Sequence, residues 1–211
     1  MEKASIQAVI TADIVNSTGL PPDTIRKLMK QLQGKLEPNV YEFYRGDSFQ
    51  VLVKSPLEAL SLLLQLRLIA LRMSPERSMP VTDVRASLGI GLVKTPVRSL
   101  KTATDEAFVL SGRSFDKMRP DQRLVIQSTE KNGTANIGFR LVAHFLDYLF
   151  RRLTSKQAAV VFELIQKKNQ VETARRLKKS QATVHKHAQS SGWPEMEKLL
   201  QEYSLLIDSI Q

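Results

Sequence analysis

Two carboxylates in the first quarter of the chain, Asp13 and Asp47, are placed where they can do metal chemistry. Asp13 follows an apolar segment in TADIVNST, and Asp47 lies between two β-prone segments in FYRGDSFQVLV. If the strands that carry them are neighbours in a sheet, both carboxylates and the backbone carbonyl of Ile14 meet at one edge. Oxygen ligands of this kind hold Mg²⁺ in proteins, commonly together with bound phosphates. The pair is therefore a candidate site for Mg²⁺ and a nucleoside triphosphate.

The residues around this pair are suited to an anion, although a purely structural interpretation is also open. Ser17 and Thr18 come at the next turn, where backbone amides can face phosphate oxygens. In the structural alternative, Asp47 belongs to ordinary hairpin-turn chemistry, and the Asp13 carboxylate caps amides of its own loop. The cationic side chains that could balance phosphate charge are Arg45, Lys94, Arg98 and Arg113.

A different chemistry, the recognition of duplex DNA, is indicated by residues 170–189, QVETARRLKKSQATVHKHAQ. The spacing is that of a helix-turn-helix motif, whose second helix enters the major groove. Ala174 and Val184 stand at the interval that this motif requires, because two tightly crossing helices leave room for only a small side chain at the first position. Residues 178–180 form the turn, and Ser180 can cap the second helix. A helical hairpin that packs without binding anything is the alternative.

The residues expected to contact DNA divide into two kinds, those that hold phosphates and those that read bases. Because one such motif buries limited surface, a homodimer on a repeated half-site of double-stranded DNA is expected. Phosphate contacts are expected from Ser180 and Lys186, and base-edge contacts from Gln181, Ala182 and His185, with Gln189 beside them. Salt-dependent affinity for the DNA backbone is expected from Arg175, Arg176, Lys178 and Lys179.

Positive charge is concentrated around the same motif. The whole chain has a formal net charge of +10. Residues 151–190 hold ten Lys or Arg and two acids, Glu163 and Glu172, which gives this segment a formal net charge of +8. Attraction to a polyanion scales with such local charge density and weakens with added salt. A solvated basic face is the ordinary explanation, but its coincidence with the helix-turn-helix spacing favours nucleic acid.

The composition excludes several classes of protein. The chain of 211 residues is 42% hydrophobic, which is enough for a packed core. It contains no cysteine, so disulfides, thiolate metal sites and cysteine nucleophiles are excluded. The longest apolar run, near residues 57–71, is interrupted by Gln65 and Arg67 and predicts a mostly buried helix, not a membrane span. With no secretory signal pattern at the N-terminus, a cytoplasmic protein is expected.

The elements that must position these residues follow from the apolar periodicity. Residues 5–14 predict a buried strand, and two short strands flank the turn at Asp47. The complete pattern predicts the order β-α-β-β-α-β-α-β, followed by helices only. We therefore expect an α+β fold with a ferredoxin-like antiparallel sheet and helices on one face. The expected boundaries are 1–130 for this domain, 131–153 for a connecting helix and 154–211 for an all-α helix-turn-helix domain.

About the first 130 residues resemble the class III nucleotide cyclases. The resemblance is carried by Asp13-Ile14 at the end of the first strand and by Gly46-Asp47 in the hairpin, in the right element order. It implies a cyclase-like domain in which Asp13 and Asp47 are the metal-binding pair.

The residues that would carry cyclase activity are not matched. Phe43 stands where the family has its base-selecting Lys. Leu110 and Ser114 stand where the family has an Asn and an Arg that stabilise the transition state, and Arg113 is one position away. Such charge stabilisation carries most of the rate in phosphoryl chemistry. The resemblance therefore implies a site retained for binding, with little or no cyclase activity.

Nearly the whole chain resembles the SatD family of small bacterial proteins. That family combines an ITGDI-type start with several internal motifs and a C-terminal helix-turn-helix. Ala12 stands where Gly is usual in its first motif. The matching segments here are ITADI (10–14), RGDSFQ (45–50), GIG (89–91) and EAFVLSG (106–112).

Three functional hypotheses follow from these residues. In the first, the protein is a DNA-binding transcriptional regulator, and its cyclase-like domain binds a nucleotide or a related anion, with Mg²⁺ as the candidate cofactor. In the second, it is a metal-dependent nucleotidyl cyclase or another NTP-processing enzyme. In the third, the first domain is a protein-interaction module fused to a DNA reader. None of the three involves a membrane.

Overall fold

Strands and helices alternate along the first part of the chain in the order expected from the sequence. The computed structural model describes residues 3–44, 46–74, 82–97 and 99–210. The strands are β1 (Lys3–Ile14), β2 (Val40–Tyr44), β3 (Ser48–Val53), β4 (Val84–Thr95) and β5 (Leu124–Ser128). The helices between them are α1 (Pro22–Leu36), α2 (Pro56–Leu71) and α3 (Glu106–Asp116). The later helices are α4 (Gly133–Phe150), α5 (Ser155–Leu164), α6 (Gln170–Leu177), α7 (Gln181–Ser190) and α8 (Trp193–Asp208).

The strands form one mixed sheet in the order β2-β3-β1-β4-β5. β1 pairs antiparallel with both β3 and β4, whereas β4 and β5 run parallel. The α+β class is confirmed, but the expectation of an antiparallel sheet is wrong at the β5 edge. The reason is the connection, because α3 crosses over between β4 and β5 and returns the chain in the same direction.

Helices cover both faces of the sheet, so the expectation of helices on one face is also wrong. Successive residues of a strand point to opposite faces. Ile10 of β1 belongs to the main core, which includes buried residues of α1, α2 and α4. Its neighbour Val9 belongs to a smaller cluster with Ala107 and Phe108 of α3. Ala8, Ile10 and Ala12 of β1 face the main core, and Val9 is the apolar residue of β1 that faces the smaller cluster.

Two glycines of β4 let α3 lie directly on the sheet. A Cβ atom added at Gly89 would lie 2.4 Å from the carbonyl oxygen of Ala107 and 2.4 Å from the amide nitrogen of Ser111. A Cβ atom at Gly91 would lie 2.8 Å from a carboxylate oxygen of Glu106. The backbone of α3 therefore occupies the space that any larger residue would need.

A buried ion network joins α2 and α4 to the sheet. The guanidinium of Arg67 is fully buried and donates to both carboxylate oxygens of Asp83, at 3.1 and 2.8 Å, and to Asp147 at 2.7 Å. The second oxygen of Asp147 accepts from the backbone amides of Arg123 and Leu124 at the start of β5. The carboxylates raise the pKa of Arg67 against the opposing effect of its burial. The sequence did not predict this network.

The later helices share a core with the sheet. Phe139, Leu146, Met196 and Tyr203 belong to the same buried cluster as the strands. The Tyr203 hydroxyl donates to the carbonyl of Pro56 at 2.7 Å, and burial raises the pKa of Tyr203. The boundaries at 1–130, 131–153 and 154–211 stay a prediction.

A further small core, separate from the two clusters at the sheet, lies among α5, α6 and α7. It consists of Val160, Leu164, Ala174, Val184 and Ala188, and Trp193 packs against both this core and the main one. Among the described helices, none combines the length and the apolar character needed to cross a bilayer.

Candidate functional site

The segment with the DNA-reader spacing folds as two short helices joined by a tight turn. Ala174 on α6 and Val184 on α7 are buried in the same small core, as their spacing predicts. Lys178 adopts the left-handed conformation, with φ of 51°, at the turn position where glycine is common. The amide of Lys179 donates to the carbonyl of Ala174 at 2.9 Å and closes the end of α6.

Both helices begin with a side-chain cap. Asn169 and Glu172 form a reciprocal capping box at the start of α6. The Ser180 hydroxyl accepts from the amide of Thr183 at 3.1 Å and caps α7, as its position in the sequence predicts. The hydroxyl of Ser180 also lies 2.8 Å from that of Thr183, so part of its hydrogen-bonding capacity is used within the helix.

The outward face of α7 carries the residues expected to contact DNA. Val184 and Ala188 face the small core, and Lys186 lies on the opposite side of the helix. This places a polar, solvent-exposed row along one helix with a lysine at its centre. The exposed residues of the row are Gln181, Ala182, His185, Lys186 and Gln189, with Ser180 at its start.

The cations around this row are not equivalent. Arg175 and Lys178 are exposed and Lys179 is half-buried. Arg176 is exposed as well, but its Nε donates to Glu163 at 2.8 Å, and Lys168 contacts the same carboxylate oxygen at 2.6 Å. Glu163 is buried, and its pairing with two cations was not predicted, although it is one of only two acids in residues 151–190.

The pKa of His187 on α7 reflects its partial burial and the positive charge of the lysines around it. Partial burial and the nearby Lys179, Lys156 and Lys186 together lower the pKa of His187. Burial is the largest cause of this shift, and the contribution of the three lysines shows that they add positive charge around His187, which is the property that attracts a polyanion.

The carboxylate pair lies at one edge of the sheet, as the sequence predicts, but each carboxylate has a partner. Asp13 pairs with Arg85 of β4, at 2.9 and 3.3 Å, and the Arg85 guanidinium stacks on Phe115 of α3. Asp47 accepts from the Ser17 hydroxyl at 2.7 Å. The amide of Ile14 donates to the backbone carbonyl of Asp47 at 3.1 Å, which fixes the two loops together.

These residues fit a Mg²⁺ ion poorly. Arg85 already neutralises Asp13, and a cation beside a metal site opposes metal binding. Within the described ranges, no group of three or more His, Asp or Glu side chains is placed to hold a metal ion. Arg85 is thus the reason why Asp13 and Asp47 form a poor metal site, and the sequence motif alone did not predict its pairing with Asp13.

The other residues expected at this site are scattered. Thr18 is exposed in a short 3₁₀ turn, Ser17–Gly19. Arg113 is exposed on α3 and has no hydrogen bond or ion pair with Asp13 or Asp47 among the described residues. Arg45 and Arg98 lie outside the described residues. Of the expected anion-binding side chains that the structure describes, only Ser17 is brought into contact with one of the carboxylates.

A polar seam continues from Asp13 beneath α3. The Gln50 amide donates to the Thr11 hydroxyl at 3.1 Å, and the Ser111 hydroxyl lies 2.7 Å from the same oxygen. Ser111 also lies 3.1 Å from the carbonyl of Ser87. These contacts pair Gln50, Thr11 and Ser111 where α3 meets the sheet, whereas the buried Ser87 hydroxyl beside them has no partner among the described residues.

Comparisons of the chain with protein-family models, with curated proteins and with solved structures found no match. The resemblance to the SatD family and to the class III cyclases therefore stays a prediction.

Proposed function

We propose that this protein is a DNA-binding transcriptional regulator that contacts duplex DNA through α6, α7 and the turn between them. The observation that carries the proposal is the outward face of α7. It presents a polar row centred on Lys186, with Arg175, Lys178 and Lys179 beside it. Two capped helices that cross over a small alanine are what a helix-turn-helix domain needs to hold such a face in a major groove.

Within this proposal the roles expected from the sequence are retained with one change. Lys186, Lys178 and Lys179 hold phosphates, and Gln181, Ala182 and His185 face base edges. The change concerns Arg176, because Glu163 holds its guanidinium. Arg176 contributes less backbone affinity than the exposed Arg175.

The first domain takes the role of a sensor in this proposal. A ferredoxin-like, cyclase-like domain that binds a nucleotide or a related anion would bias the DNA reader through unequal affinity of the ligand for two arrangements. The enzyme alternative has less support, because Arg85 pairs with Asp13 and because Leu110 and Ser114 replace the transition-state residues.

Replacing Lys186 and Gln181 separately tests the assignment of roles. We expect Lys186→Ala to weaken binding to all duplexes alike and to reduce the slope of log affinity against log salt by about 1. We expect Gln181→Ala to cost about 1–3 kcal/mol on the preferred sequence and little on random DNA. Fluorescence anisotropy with a selected duplex and a random duplex, over a range of KCl concentrations, measures both effects.

Lys27→Ala is the matched control, since Lys27 is an exposed lysine of α1, on another part of the molecule. It should leave both affinity and salt slope unchanged. If wild-type protein shows no anisotropy change even at low salt, the proposed function fails. Equal losses from Lys186→Ala and Lys27→Ala would show that only the overall charge matters.

The pH dependence of DNA binding should depend on His187. Its pKa is lowered in the free protein, so it is neutral near pH 7, and a bound polyanion favours the protonated form. Lowering the pH to about 5.5 should strengthen DNA binding by roughly 2- to 10-fold. In His187→Gln this gain should shrink, because the glutamine side chain does not take up a proton in this pH range. An identical pH profile for the two proteins would exclude His187.

A homodimer is the assembly that we propose on DNA, and α4 supplies a surface for it. Ile137, Leu141, Phe145 and Tyr148 form an exposed apolar stripe along that helix. One small reader buries little DNA surface, so two copies on neighbouring half-sites are the usual solution.

Leu141→Glu should break this dimer. Leu141 is 62% exposed in the monomer, so the substitution places a charge in the paired surface without disturbing the fold. Light scattering after size exclusion should give a monomer, with DNA affinity reduced at least about 10-fold. Leu92→Glu, at another exposed leucine, is the control and should stay dimeric. A wild-type protein that is already monomeric on and off DNA would contradict the assembly.

A further inference from the structure

A large, open cavity lies between α1 and α2 on one side and the α5–α6 connection and α8 on the other. Its volume is about 1110 Å³, and it is bounded by the end of α1, one side of α2, the connection from α5 to α6, and α8. Leu57, Leu62, Leu200 and the single tryptophan, Trp193, supply apolar wall. A concave space with apolar walls and a few polar groups is the usual form of a small-molecule site.

One polar group in this wall lacks a partner. Gln65 lines the cavity and is 7% exposed. Its amide nitrogen donates to the carbonyl and the hydroxyl of Ser61, each at 3.2 Å. Its carbonyl oxygen is buried and has no hydrogen-bond partner among the described residues. Buried polar atoms are nearly always paired, and a small turn of this amide toward the cavity would let its oxygen accept from a bound molecule.

Two lysines give one side of the cavity a positive charge. Lys35 and Lys168 both line it, and Lys35 has no ion pair among the described residues. Burial lowers the pKa of Lys35, and the charge of Lys168 lowers it further. Lys167, Glu58, Glu197 and Asp208 also line the cavity, and none of these three carboxylates forms an ion pair with Lys35 among the described residues. An anion between the two lysines would offset their mutual repulsion.

We propose that this cavity binds a small organic anion that also carries a hydrogen-bond donor. Lys35 and Lys168 hold its phosphate or carboxylate group, Gln65 accepts its donor, and the apolar wall contacts its body. The site is separate from the Asp13 and Asp47 edge, to which the sequence motifs point.

Lys168 connects this site to the DNA reader. Lys168 and Arg176 contact the same oxygen of the buried Glu163, at 2.6 and 2.8 Å. An anion that draws Lys168 away leaves Arg176 as the ion-pair partner of Glu163, with the charge of Arg72 farther off, so Arg176 is held more firmly away from DNA phosphates. The anion should therefore weaken DNA binding. This coupling rests on the proposed function, whereas binding of the anion does not.

The test uses the one indole N–H signal of Trp193 in ¹H–¹⁵N NMR spectra of the full chain. AMP and 4-hydroxybenzoate are the probes, because one carries a phosphate and the other a carboxylate, and adenosine is the uncharged control. We expect a saturable shift with at least one of the anions and none with adenosine. The anion that shifts the signal shows whether the two lysines bind a phosphate or a carboxylate group.

Variants separate specific binding from general charge. Lys35→Gln and Gln65→Leu should each weaken binding of the anion by about 10-fold. Lys30→Gln, an exposed lysine of the same helix, should leave it unchanged. The site is overturned by the absence of a saturable shift with either anion, by an equal response to adenosine, or by an equal loss in Lys30→Gln.

DNA affinity at constant ionic strength completes the experiment. The anion that binds should reduce DNA affinity about 5-fold or more, and Lys168→Gln should remove that reduction. Anion binding with unchanged DNA affinity would overturn the route through Glu163. If the protein does not bind DNA at all, the proposed function fails. The NMR result alone then decides whether the cavity binds the anion.

Discussion

Asp147→Ala should lower the free energy of unfolding by about 3–5 kcal/mol, the usual cost of breaking a buried ion pair from one side. The Asp147 carboxylate accepts from the fully buried Arg67 at 2.7 Å and from the amides of Arg123 and Leu124. Its removal leaves a buried guanidinium nitrogen and two backbone donors without their acceptor. Urea denaturation followed by circular dichroism measures the change.

Asp116→Ala provides the comparison, because Asp116 is an exposed aspartate at the end of α3. It should change the unfolding free energy by less than about 0.5 kcal/mol. Asp147→Asn should fall between the two, since its side-chain oxygen still accepts one hydrogen bond. If Asp147→Ala and Asp116→Ala unfold at the same urea concentration, the network does not stabilise the fold.

Gly89→Ala should destabilise the protein by about 3 kcal/mol, the upper end of the usual cost of overpacking. The added methyl group would lie 2.4 Å from backbone atoms of Ala107 and Ser111. Backbone cannot rotate away as a side chain can, so α3 must move from the sheet. The contact between Ser111 and Thr11 should then weaken, which faster amide exchange along α3 would detect.

Gly112→Ala is the control on the same helix. Nothing lies within 4 Å of the position where its Cβ would be placed. Alanine is the better helix former, so this change should stabilise the protein by roughly 0.5–1 kcal/mol. Equal stability of Gly89→Ala and wild type would mean that α3 does not lie on the sheet as closely as described.

The element order was predictable because it depends on local periodicity, whereas the sheet topology was not. The direction of β5 depends on where α3 passes, which no strand pattern contains. The covering of both faces left little trace, since Gln7, Thr11 and Asp13 alternate with apolar residues and only Val9 breaks the pattern. A strand buried on both faces is usually a continuous apolar run, whereas a strand with one solvated face alternates, as this one does.

The candidate site also has features that were predictable from the sequence and features that were not. The helix pair of α6 and α7 was predictable, because Ala174 and Val184 are close in sequence and their burial follows from helical spacing. Ion pairs between residues that lie far apart in the sequence were not predictable. Arg85 is 72 residues from Asp13, and Arg67 is 80 residues from Asp147. Only the fold brings those charges together, and it changes what the carboxylates are able to bind.

The hydrogen bond from Tyr203 to Pro56 ties α8 to the start of α2, so the chain cannot be shortened by removing α8. Because α8 completes the hydrophobic interior under α2, a fragment ending before α8 would expose that interior to water. Since Trp193 joins the small core of α5, α6 and α7 to this interior, α6 and α7 are not an independent unit that can be transferred to another protein. Under the proposed function, a change of DNA specificity therefore has to be made by surface substitutions on α7.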